Sequence, residues 1–112
     1  MNWLVHLVTA DEWPTDATEI VPPSLAQVGF VHLSTPAQVA IPANLFYTGL
    51  DVVLLWVDPE LVGDEIRFEE GDPPVPGQVF PHLYGPLPVA AVVAATPYRP
   101  GPDGQYSAPD AP

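Results

Sequence analysis

His6, His32 and His82 are the three imidazoles of this chain, and each precedes a leucine in an apolar stretch: Val5-His6-Leu7, Val31-His32-Leu33 and Pro81-His82-Leu83. A neutral imidazole donates at one nitrogen and accepts at the other, and it exchanges protons near neutral pH. Burial disfavours the charged ring, so these apolar surroundings favour the neutral form. Other chemistry-bearing groups lie close in sequence. GFVHLSTP, residues 29 to 36, adds Ser34 and Thr35, and FPHLY, residues 80 to 84, adds Phe80 and Tyr84. Alternation along EIRFE, residues 65 to 69, puts Arg67 and Glu69 on one strand face, where an exposed ion pair is the plainest explanation and a place beside the site the alternative. The ordinary role of a strand histidine is that of a satisfied core residue, and Thr35 is well explained as a helix cap. The functional reading rests on all three histidines falling in segments that also carry aromatics or hydroxyls, with none in the acidic loops.

These residues need strands to hold them. WLVHLV (3–8) and VVLLWV (52–57) read as buried strands, with further strands at 30–34, 65–69, 79–84 and 89–96. Alternation places His6 with Leu4 and Val8, His32 with Phe30 and Ser34, and His82 with Phe80 and Tyr84. Pro81 argues against a regular central strand there. Thr9 to Glu12 matches a capping box, which predicts a short helix interrupted at Pro14. Ser24 should cap about one turn before Gly29. Thr35-Pro36-Ala37-Gln38 predicts a helix to about Tyr47, kinked near Pro42 and stopped at Gly49. One helical turn should follow Pro59. The expected fold is a single small α+β domain over residues 1–97, followed by a frayed Pro/Gly-rich tail over 98–112.

Composition limits the functions. Fourteen acidic residues face two arginines and no lysine, a net charge of −12 that repels polyanions and argues against bulk nucleic-acid binding. With no apolar run of membrane-span length and no basic leader, the expectation is a cytoplasmic protein. The absence of cysteine removes disulfides and thiolate ligands. Three imidazoles suffice for a metal, yet no H-x-H or H-x-x-x-H spacing occurs, so no metal is assigned and folding without stoichiometric zinc is expected.

WLVHLVTADEW, PPSLAQVGFVHLSTPAQV, VVLLWVDPELV, EIRFEE and VFPHLYGPLPVAAVVA together resemble a small bacterial family, domain-of-unknown-function family 952, across residues 3 to 97. That family is similar in fold to the ADP-ribosyltransferase superfamily, whose split sheet holds NAD in a central cleft. The resemblance implies a split mixed or antiparallel sheet, with His6 at the ribose-side position and His32, Ser34 and Thr35 near the nicotinamide. The third position falls near Gln78, Phe80 and His82. No glutamate occupies residues 78 to 84, so the carboxylate that would stabilise ribosyl cation character is missing there.

Two readings follow. In the first, a divergent ADP-ribosyltransferase-like enzyme acts on NAD or a related nucleotide, with His82, His32 and His6 catalytic. Ser34, Thr35, Phe80, Tyr84, Arg67 and Glu69 would then bind ligand, and NAD would be a substrate rather than a resident cofactor. In the second, the same residues form a non-catalytic module for a nucleotide-like small molecule. Both expect the three rings to converge on one concavity.

Overall fold

The computed structural model describes residues 2–112. Its strands are β1 (Leu4–Thr9), β2 (Glu19–Ile20), β3 (Val31–His32), β4 (Val52–Val57), β5 (Ile66–Glu70), β6 (Val79–Leu83), β7 (Leu87–Pro88) and β8 (Val92–Tyr98). The α-helices, α1 (Pro23–Val28) and α2 (Ala40–Phe46), are short. Two three-stranded sheets, β1-β4-β8 and β3-β6-β5, make the frame, and β2 pairs with β7. Every strand pair among the described residues is antiparallel. The result is a small α+β domain.

The two larger sheets meet at a narrow seam. Val5 of β1 and Ser34, just past β3, form an isolated antiparallel bridge, exchanging Val5 N–H to Ser34 O at 2.8 Å and Ser34 N–H to Val5 O at 2.9 Å. The apolar core divides on either side of β1. Val5 and Leu7 pack with Leu54, Trp56, Val39 and Ala43 beneath α2, whereas Leu4 packs with Val31, Leu33, Val57 and Leu83. Alternation thus feeds two cores from one strand.

Several local expectations change. The Thr9–Glu12 contacts form, with Thr9 N–H donating to Glu12 Oε1 at 2.9 Å, but no helix follows. The Thr9 hydroxyl bonds to the carboxylates of Asp11 and Glu12 instead of to a backbone N–H, so the motif closes a turn. Pro22, without a side-chain cap, rather than Ser24, precedes α1, and Gly29 ends it at φ 88°, a left-handed conformation that suits glycine. Pro42 falls in the first turn of α2, where its missing N–H costs no intrahelical bond, so it starts the helix rather than kinking it.

Pro81 lies inside β6, the central strand of its sheet, against expectation. Its carbonyl accepts from Leu33 N–H at 3.1 Å, so its absent N–H faces that same side, just where β3 has ended. The ladder to β5 therefore loses nothing. The segment after Pro97 also differs from a frayed tail. Tyr98 and Tyr106 are buried 4.8 Å apart, Tyr106 N–H bonds Asn44 Oδ1 at 2.8 Å, and Tyr98 Oη–H donates to Ser107 O at 2.6 Å. No helix among the described residues is long and apolar enough to cross a membrane.

Candidate functional site

Cross-strand register brings the histidines together. His32 on β3 lies directly opposite His82 on β6, and Arg67 on β5 lies opposite His82 on the other side. Directly paired residues share a sheet face, which makes one row of Arg67, His82 and His32. The rings of His32 and His82 meet edge to face with centroids 5.7 Å apart. His6 arrives from β1 across the seam, its Nδ1 2.8 Å from the His32 carbonyl. A carbonyl only accepts, so Nδ1 carries the proton and Nε2 of the neutral ring holds the free lone pair.

His82 is only 2% exposed and lies between two partners. Phe30 stacks on its face at 3.8 Å, and Glu69 Oε1 lies 2.9 Å from its Nδ1. The carboxylate orients that nitrogen as donor and leaves Nε2, which is buried with no hydrogen-bond partner. Tyr84 Oη–H also donates to Glu69 Oε1. The Arg67 guanidinium stacks 4.4 Å above the Tyr84 ring while pairing with Glu65 at 2.8 Å. The carboxylate beside His82 comes from the neighbouring strand, where Glu69 pairs with Phe80.

Electrostatics follows from these contacts. Burial pushes the His6 imidazole below its ordinary 6.5, against the raising effect of its bond to the His32 carbonyl. Partial burial of the ring and then the neighbouring His82 lower His32 as well. Hydrogen bonds from Tyr84 and then His82 hold the Glu69 carboxyl below 4.5, and the same bond raises the Tyr84 phenol. Near neutral pH the site therefore presents neutral His6 and His32 beside an ionised Glu69.

A cleft of about 800 Å³ opens over this row, within the range of small-molecule sites. His6, His32, His82, Ser34 and Phe80 line it, so the three imidazoles share one concavity. Thr35 is absent from the lining. Its N–H bonds Gln38 Oε1 at 3.0 Å and closes a turn ahead of α2, whose cap position is Val39 without a side-chain cap, so Thr35 does not cap the helix as expected. Glu69, Tyr84 and Arg67 stand behind or beside His82 rather than in the lining. Gly71 closes the wall: a Cβ there would lie 3.0 Å from Phe80 Cδ1. Sequence reasoning passed over Phe30 as a partner of His82 and the rim carboxylates Glu12, Glu19 and Asp72. Phe30 was legible only as sharing a face with His32. No group of three or more His, Asp or Glu among the described residues is arranged to hold a metal ion.

Fold and site define a small α+β domain with a histidine-lined cleft. Residues 7–95 match the family described as "Protein of unknown function (DUF952)", and the chain belongs to that family. It is similar to protein CC0527 of Caulobacter crescentus. The crystal structure of that protein has 30% identity and a TM-score of 0.73, over 94% of this chain and 93% of that one. Its solution structure has 28% identity and a TM-score of 0.74, over 95% and 92%. No protein of curated function matches the sequence.

Proposed function

We propose that the cleft binds a nucleotide-type small molecule and that His82, oriented by Glu69, transfers a proton there, as in a divergent ADP-ribosyltransferase-like enzyme acting on NAD or a related compound. The observation that carries this reading is the Glu69–His82 pair. A carboxylate holds Nδ1–H at 2.9 Å and leaves a buried, unpartnered Nε2 on a ring that lines the cleft. A base positioned by a third group is the recurring arrangement for activating a nucleophile. His6 and Ser34 would orient the ligand, His32 would cover it, and Phe80 would pack on a ring. In hydrolysis of a nicotinamide nucleoside bond, water would give its proton to Nε2 as its oxygen bonds C1′. The C1′–N pair would leave on nicotinamide, which neutralises the pyridinium. The cytoplasm is the compartment in which this reading places the protein.

The non-catalytic alternative has its own support. Glu69 already accepts from both His82 and Tyr84, so its charge is committed within the protein rather than offered to a ribosyl cation. Nicotinamide release from NAD separates the two readings. The enzyme reading expects release by the wild type and a loss of about 100-fold or more in His82→Ala, with fold and ligand affinity largely retained. Release unchanged in that variant refutes the assignment of His82. Binding without release, weakened by His6→Ala, supports the module.

A further inference from the structure

The charges around the cleft are of one sign. Glu12, Glu19 and Asp72 are its charged lining residues, all exposed at the rim, and neither Arg67 nor Arg99 belongs to the lining. Neither Glu19 nor Asp72 forms an ion pair among the described residues, and Arg67 is held by Glu65. Two of the three imidazoles are biased toward the neutral form, so they add little compensating charge at neutral pH.

Backbone donors are scarce as well. The first residue of α1 is Pro23, preceded by Pro22, and the first turn of α2 contains Pro42; all three line the cleft. Proline has no N–H, so none of these three positions offers an amide to a phosphate. Apart from the rim carboxylates, the imidazoles and the hydroxyls of Thr15, Ser24, Ser34 and Tyr47, the other lining side chains are apolar. Val21, Leu45 and Phe46 are 62%, 58% and 56% exposed at the cleft, with Tyr47 and Phe80 further in. Aromatic faces beside carboxylates suit a cation with an apolar body. The buried Nε2 of His82, without a partner, independently marks the same cleft as a place for a ligand group.

We infer that the cleft selects an organic cation with an aromatic or apolar body, such as a cationic nucleoside, and discriminates against a diphosphate. The inference rests on the proposed ligand-binding role of the cleft and narrows its ligand to the charge class that the rim attracts.

Titration calorimetry with nicotinamide riboside, nicotinamide mononucleotide and NAD tests it, because the three share a pyridinium ring and differ in phosphate. Benzyltrimethylammonium and phenylacetate serve as a cation and an anion unrelated to nucleotides. The riboside should bind about tenfold or more tightly than either the mononucleotide or NAD, and the quaternary amine should bind where phenylacetate does not. The exposed-rim double variant Glu19→Gln/Asp72→Asn should narrow the riboside-to-NAD gap severalfold, as should high salt. NAD binding as tightly as the riboside, a gap unchanged in the double variant, or no binding of either cation at millimolar concentration each overturns the inference. Riboside binding without nicotinamide release leaves charge selection standing and removes the reaction. Release with NAD preferred does the reverse.

Discussion

His6 links the chemistry of the site to the stability of the fold. Its Nδ1–H bond to the His32 carbonyl is partly buried, and losing it in His6→Ala should cost about 1–3 kcal/mol in urea unfolding. The pH dependence has a defined sign. Burial depresses the folded-state affinity of His6 and His32 for protons, so the unfolded chain takes up more protons as pH falls below 6.5. Stability is therefore full above that value and declines toward the lower folded value, and His6→Asn should flatten the decline between pH 7 and pH 5. Glu69 acts at lower pH. Its carboxyl is held below 4.5, so its contribution is present above that value and lost as pH falls through the folded one. Glu69→Gln should lower the urea midpoint at pH 7 and differ less from the wild type under acid conditions. A gap that widened in acid would show that the carboxylate is not held by His82 and Tyr84. The histidines could be picked out from their segments, but the partner of His82 could not. Glu69 reaches it through the β5–β6 register, which depends on tertiary pairing rather than on local pattern.

At the level of elements, hydrophobic runs were the readable signal. The strands around residues 4–9, 52–57, 66–70, 79–83 and 92–98 follow apolar or alternating stretches. The two-residue pair of β2 and β7 has no pattern long enough to detect. The capping pattern at Thr9 misleads because the acidic groups take the hydroxyl, and no helix grows. The loop before β6 carries its own constraint. Gly71→Ala would place a Cβ 3.0 Å from both Phe80 Cδ1 and the Pro73 carbonyl oxygen. Overpacking of this kind should cost about 1–3 kcal/mol and push Phe80 in the cleft wall. Thermal melting checks the first effect, and the riboside affinity checks the second. An unchanged melting temperature would mean that the Phe80 ring swings aside freely.

The whole molecule extends beyond the stretch that carries the family pattern. Matching ends at residue 95, yet Tyr106 is buried against Tyr98 and fixed to Asn44 and to the Tyr47 carbonyl. Composition hid this contact, because a single aromatic among prolines and glycines gives no periodic signal. Tyr106→Ala, or a chain ending at Arg99, should lose about 2–4 kcal/mol, read as a lower urea midpoint. An unchanged midpoint would show that residues beyond 99 add nothing to the fold. Tyr47 joins this docking to the cleft, which it also lines. The seam between the sheets has a different use. Among the described residues the Val5–Ser34 exchange and the His6–His32 bond are the hydrogen bonds that span it, and a ligand resting on His6, Ser34 and His32 would span it as well. Deuterium uptake at the Val5 and Ser34 amides then becomes an intrinsic gauge of occupancy, slowing whenever the cleft is filled, with no label attached and no reaction required.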